Sequence, residues 1–195
     1  MNPDHVMTVK SKCEYMVRIS SDGNQTNRIS GICCLPSGQV IVTDEINRKV
    51  KLLDQHYNVC THCDVSNNPS GICQITSTEV AVSLNSEVQF ISVSNGKLVK
   101  GRKFKLPHDA SCIAHHQGVL YVTGLNALYQ YTLTGSLVKK LYEDNNYRVW
   151  KCAVNPAGDR IYVTTSEIFW AHLTLHGKDR LITLSTDGTL IIHFL

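Results

Sequence analysis

No run of apolar residues in this chain approaches the roughly 20 needed to span a bilayer as a helix. The N-terminal stretch, residues 1–14, is polar and holds no apolar core of signal-peptide length. Charge of one sign is scarce. The 19 Lys and Arg against 16 Asp and Glu leave a formal excess of +3 in 195 residues, too small to argue for nucleic acid by itself. No segment carries the 3.6-residue apolar period over helix length. Gly-x-Ser-x-Gly and Gly-rich phosphate-loop patterns do not occur. With 43% hydrophobic and 18% charged residues, the composition is that of a folded, water-soluble protein. The reading is a cytoplasmic chain without membrane contact, whose eight cysteines are reduced thiols rather than a disulfide framework.

What the sequence does contain is a repeat of about 40 residues. Val42, Val82, Val122 and Val163 each sit in an apolar-x-Val-Ser/Thr run. A column of first strands precedes them, with Ile32-Cys33 set against Ile72-Cys73, Cys112-Ile113 and Cys152-Ala153. Pro36-Ser37-Gly38 and Pro156-Ala157-Gly158 supply hairpin turns, since Pro presets the first turn dihedral and Gly tolerates positive φ. A third column follows, at Val50-Lys51-Leu52-Leu53, Val88-Gln89-Phe90-Ile91, Leu128-Tyr129-Gln130-Tyr131 and Leu181-Ile182-Thr183-Leu184. Asn95-Gly96, Thr134-Gly135 and Asp187-Gly188 turn into a polar, edge-like last strand.

Four short β-branched or aromatic runs per repeat predict an all-β fold, a β-propeller segment of four four-stranded antiparallel blades. The units are residues 30–68, 69–108, 109–147 and 148–195. Two strand-like runs, at residues 6–9 and 15–19, suggest a half blade over 1–29. Residues 167–178 form a loop excursion that the repeat does not explain.

The stretch Val42-Thr43-Asp44-Glu45-Ile46-Asn47-Arg48-Lys49-Val50 resembles the NHL repeat, V-x-D-x-x-N-H-R-I. Asp44, Asn47 and Val50 fit the pattern. Arg48 and Lys49 replace its His and Arg, and in the other units only Asn85 and Asn126 echo it. Together with Ser30-Gly31-Ile32-Cys33, Leu35-Pro36-Ser37-Gly38-Gln39-Val40 and Lys51-Leu52-Leu53-Asp54, the chain is similar to the C-terminal propeller of tripartite-motif proteins, the invertebrate sets above all. The resemblance implies the substrate-recruiting end of a ubiquitin ligase. RING-spaced Cys/His pairs and a heptad run are not found here, so ligase catalysis does not carry over. Propellers of that family usually have more blades, which implies a partial ring with open edges and possible self-association.

Several constellations carry a chemical and a structural reading. Cys60-Thr61-His62-Cys63, with His56 upstream, has zinc half-site spacing. A strand there turns the two cysteines to opposite faces, and no second C-x-x-C completes the set. Cys33, Cys73, Cys112 and Cys152 fall where other units carry Ile or Ala, which predicts small buried hydrophobes. The pairs His172/His176 and His115/His116 read as solvated loop histidines. The column expected at the channel mouth, Asp44, Leu84, Gly124 and Thr165, offers one acidic ligand, too few for a channel-metal hydrolase of the lactonase type. No cofactor and no metal follow from the sequence.

The loops between blades and between second and third strands gather at one end. The candidate binding face is Arg28, Asp44, Asn47, Arg48, Lys49, Asn68, Asn85, His108, Asn126, Asn146, Tyr147 and Arg148, with Lys151 and Trp150 nearby. Such residues anchor protein interfaces. They also grip single-stranded RNA through phosphate contacts and stacking. The expected function is a non-catalytic protein-interaction platform, with RNA as the alternative and a channel-metal hydrolase as a distant third.

Overall fold

The structure is a computed structural model that describes residues 13–23, 26–167 and 179–194. It is all-β, a four-bladed β-propeller of four antiparallel sheets. The first sheet holds β1 (Ile29–Cys34), β2 (Val40–Asp44), β3 (Lys49–Leu53) and β4 (Val59–Asp64). The second holds β5 (Pro69–Gln74), β6 (Glu79–Leu84), β7 (Glu87–Ser94) and β8 (Lys97–Lys105). The third holds β9 (Cys112–His116), β10 (Val119–Thr123), β11 (Ala127–Thr132) and β12 (Leu137–Glu143). The fourth holds β13 (Tyr147–Val154), β14 (Arg160–Glu167), β15 (Arg180–Ser185) and β16 (Leu190–Phe194). In each sheet the strands pair in chain order, as hairpins dictate. Gly38, Gly135, Gly158 and Gly188 sit at positive φ in these turns, and Asn95 with Gly96 does the same at the β7–β8 corner.

Side chains alternate across each sheet, so every blade has two flanks to bury. Ile41, Leu52 and Val50 of the first blade meet Val80, Val82 and Ile91 of the second. Phe90 and Val88 meet Ile113, Leu120, Val122 and Tyr131 of the third. Leu128 and Tyr121 meet Val149, Ile161, Val163 and Leu184 of the fourth. The four column valines are therefore core, with Val42 at 4% exposure and the other three fully buried.

Residues 15–19, where the sequence suggests a strand, do not pair into a sheet. The segment 13–23 instead lies against the first blade. Lys51, on β3, donates to Val17 O at 3.0 Å and Asp22 Oδ2 at 2.7 Å. Of the excursion at 167–178, Glu167 ends β14 opposite Tyr147; the rest of it, with His172 and His176, and the run at 6–9 lie outside the described residues.

One register differs from the repeat reading. Cys112 pairs with Thr123, while Gly31 pairs with Thr43 and Gly71 with Ser83. Ile113, not Cys112, is thus the third unit's counterpart of Ile32 and Ile72. The reason is the turn. Five residues, 35–39, join Cys34 to Val40 and five, 75–79, join Gln74 to Val80, whereas only Gln117 and Gly118 join His116 to Val119. Beyond Gly31 and Gly71, bulges at Ser30 and Ser70 open the first two inner strands, and β9 has none.

Those bulges position the channel ends of the first two blades. Ser30 Oγ donates to Pro69 O at 2.6 Å and lies 2.9 Å from Thr43 Oγ1. Ser70 Oγ donates to Ala110 O at 2.7 Å and lies 3.0 Å from Ser83 Oγ. At the third interface Thr123 Oγ1 donates to Trp150 O at 3.0 Å. Of the Ser/Thr repeat column, Thr123 thus fastens its interface directly, while Thr43 and Ser83 hold the hydroxyls of Ser30 and Ser70 that do so. Gly71 makes room for this approach, since a Cβ there would stand 3.0 Å from Cys112 Cα and 3.1 Å from Ile113 N.

Candidate functional site

The N-terminal ends of the inner strands surround a hollow of about 550 Å³. Its wall comes from the two loop sets that the sequence places at one end. Arg28 precedes β1, Glu45 and Arg48 sit between β2 and β3, Asn67 and Asn68 join the first two blades, and Asn85 turns between β6 and β7. Asp109 comes from the next junction, and Arg148, Trp150 and Lys151 come from β13. All four blades contribute.

Of the predicted face, Arg28, Arg48, Asn68, Asn85 and Arg148 meet here, all exposed. Arg28 Nε lies 3.2 Å from Glu45 Oε2. Arg48 holds positive φ at 50° and donates from Nε to Asn68 Oδ1 at 3.0 Å. Asn85 also takes positive φ, 51°, which Asn tolerates better than most residues. The Arg148 guanidinium lies 4.3 Å from the centre of the Trp150 ring. Lys151 reaches across the floor, where its ammonium donates to Ser70 O at 3.0 Å and Ser30 O at 3.3 Å. The sequence marks Lys151 as basic and nearby, but its grip on two other blades needed the geometry. The signal was its position, since Lys151 pairs with Thr164 where Gly31 pairs with Thr43.

The other predicted residues are placed differently. Asp44 is buried, not at a channel mouth. Its Oδ2 accepts from Lys51 Nζ at 2.8 Å, Asn47 Nδ2 at 2.9 Å and Asn27 Nδ2 at 2.5 Å. Burial alone would raise its carboxyl, but these bonds and the Arg28 amide outweigh it and bring it down to about 2. Asn47 also donates to Thr26 O at 3.2 Å, so the Asp and Asn of the repeat motif tie the second strand to the segment before the first. Lys49 is buried against Asp64 at 2.5 Å. Tyr147 is buried, with its ring under the Arg180 guanidinium and its hydroxyl accepting from Arg180 Nη2. His108 stacks on Tyr129 at 4.0 Å, and its Nε2 lies 2.7 Å from Tyr131 Oη. Asn126 donates to Asn145 Oδ1 at 3.4 Å, and Asn146 is exposed at the last junction. Leu84 of the expected channel column is fully buried in the core between the first two blades.

The opposite end has a hollow of about 480 Å³ lined by Ile72, Cys73, His115, His116 and Cys152 among others. Both ring nitrogens of His115 are engaged, Nδ1 at 2.9 Å from Gln74 O and Nε2 accepting from Gly118 N at 3.0 Å. Burial lowers its pKa against the Gln74 bond. Among the described residues no three His, Cys, Asp or Glu side chains cluster as metal ligands. Cys60 is exposed, and Cys63 packs partly on the core. Cys112 and Cys152 are buried across the third interface. A hydrogen bond from the Cys152 thiol, with help from Lys151, lowers Cys112 against the effect of burial. The same bond pushes Cys152 up.

No family model matches the sequence, and no curated protein matches it either. Solved propellers match its fold. Virginiamycin B lyase from Staphylococcus aureus superposes with a TM-score of 0.63 at 16% identity, over 88% of this chain and 57% of that one. The Dos1 propeller gives 0.66 at 14%, over 86% and 47%. The Neurospora crassa Pan2 WD40 domain gives 0.64 at 10%, over 85% and 51%. The likeness is one of fold alone. The chain spans about half the length of each of these propellers.

Proposed function

We propose that this chain is a non-catalytic, cytoplasmic protein-recruiting propeller of the NHL type, acting through its loop-end hollow. The resemblance to tripartite-motif proteins makes substrate recruitment for a ubiquitin ligase the specific form of that role. The observation that carries the reading is the convergence of Arg48, Asn68, Asn85, Arg148 and Trp150 from three blades on one open hollow. Arg and Trp are the side chains that most often anchor protein interfaces. Asp44 and Leu84 are committed to the interior, which weakens the channel-metal alternative.

Single-stranded RNA is the second reading, favoured by the basic residues. It is weakened by the aromatics. Tyr147 is buried, and one face of Trp150 carries Arg148, so the two groups suited to base stacking are both engaged.

Panning the chain against a random peptide library and a random RNA pool, at physiological salt, tests the choice. Enrichment of peptides whose retention is lost on Trp150→Ala is expected. Enrichment of RNA alone, with sub-micromolar affinity abolished by Arg48→Glu, would reverse the assignment.

A further inference from the structure

Several cations elsewhere on the blades are neutralised by carboxylates, although Lys100 and Lys139 reach backbone carbonyls and Arg180 a tyrosine. Lys49 pairs with Asp64, Arg102 with Glu79, Lys103 with Glu87 and Lys140 with Glu143. In the hollow, among the described residues, only Arg28 has a carboxylate, Glu45. Arg48 is held by an amide oxygen, Arg148 by an indole face and Lys151 by two backbone carbonyls. None of these three contacts neutralises charge.

Four cations against two carboxylates, Glu45 and Asp109, leave the hollow an excess of two positive charges. The whole chain carries only +3. Most of its imbalance is thus concentrated at one concave site, where low-dielectric walls focus the field. Lys151 is fixed rather than mobile. Its ammonium has three donors, of which two are used on Ser70 O and Ser30 O. Arg48 spends its Nε on Asn68, and its two terminal nitrogens have no hydrogen bond among the described residues. A guanidinium presenting that edge is suited to a carboxylate.

We propose that the hollow recognises an acidic peptide segment, with an Asp or Glu carboxylate set between Arg48, Arg148 and Lys151. The inference rests on the protein-recruiting reading above and names what that site selects. Volume and shape fit the assignment. About 550 Å³ lies within the roughly 300–1,000 Å³ of compact ligand sites. It takes a few side chains, whereas single-stranded nucleic acid needs a basic track along several nucleotides. Asn68 and Asn85, exposed on the rim, supply donors and acceptors for a peptide backbone. Trp150, 40% exposed, offers an apolar contact beside the charge.

The test uses the whole chain and the random peptide library. Enriched sequences should carry an excess of Asp and Glu. The charge reversals Arg48→Glu and Arg148→Glu should each lower retention of those peptides by about tenfold or more. Lys97→Glu, on the exposed β7–β8 hairpin, should leave it unchanged. Circular dichroism and a melting curve for each variant separate lost binding from lost fold, and Lys151→Met gives an independent uncharged probe of the floor. Enrichment without an acidic excess, or acidic peptides kept equally by both reversals, overturns the charge assignment. If those same peptides are released by Trp150→Ala, the protein-recruiting reading stands alone. Enrichment of RNA with no peptide overturns both.

Discussion

The Lys51 ammonium lies 2.8 Å from Asp44 Oδ2, and neither side chain is exposed to solvent. Asp22 completes the group at 2.7 Å, also fully buried. One buried cation thus serves two carboxylates, and the Asn27 and Asn47 side chains with the Ile19 and Arg28 amides supply further donors.

Lys51→Met should destabilise the chain by about 3–5 kcal/mol, because it leaves two carboxylates buried together without their counter-charge. The urea midpoint is the measurement. Limited proteolysis should also cut within 13–23 sooner, since Lys51 fastens that segment through Val17 O and Asp22. An unchanged midpoint would show that the segment is not held this way.

The same group sets an acid dependence. Asp44 is held at about 2, and Asp22 is also lowered, by the Lys51 bond and others that together outweigh its burial. An unfolded Asp titrates near 3.9. Both groups are depressed on folding, so their contribution is complete above about pH 4 and is lost as pH falls toward about 2. Urea midpoints measured from pH 5 to pH 2 should drop across that interval. In Asp44→Asn the drop should be shallower, and an equal slope would refute the linkage.

Gly71→Ala should also destabilise. Loss of chain entropy in the unfolded state favours Ala by about 0.4–1 kcal/mol. Against this, the new Cβ would meet the backbone of Cys112 and Ile113 at 3.0 and 3.1 Å. Forcing blades apart to admit a methyl costs about 1–3 kcal/mol. Gly23, with nothing within 4 Å of a built Cβ, is the control and should be neutral or slightly stabilising. A Gly71→Ala variant as stable as Gly23→Ala would mean that the second and third blades can separate freely.

Much of the fold was legible because a strand period of two and a hairpin turn leave marks in sequence. Val42, Val82, Val122 and Val163 repeat since each is the buried middle of a second strand. The channel end was harder to read. The pairs Ser30-Gly31 and Ser70-Gly71 recur at the repeat spacing, yet their meaning depends on a bulge, which sequence periodicity does not reveal. Arg48, Asn68, Asn85 and Arg148 were identifiable as loop residues on one face. Asp44, Lys49 and Tyr147 were not separable from them, since whether a loop-edge charge or ring faces outward depends on partners far away in sequence, such as Lys51 for Asp44 and Arg180 for Tyr147.

Among the described residues, the hydroxyl contacts between inner strands run one way. The donor belongs to the earlier blade and the acceptor carbonyl to the next, from Ser30 to Pro69, from Ser70 to Ala110 and from Thr123 to Trp150. A chain leaving the ribosome therefore extends an unfinished edge whose pending group is a hydroxyl, which water can serve cheaply while the following blade is still being made. At these junctions synthesis and zippering share a direction, whereas the carbonyls of Ser30 and Ser70 wait for Lys151 of the fourth blade.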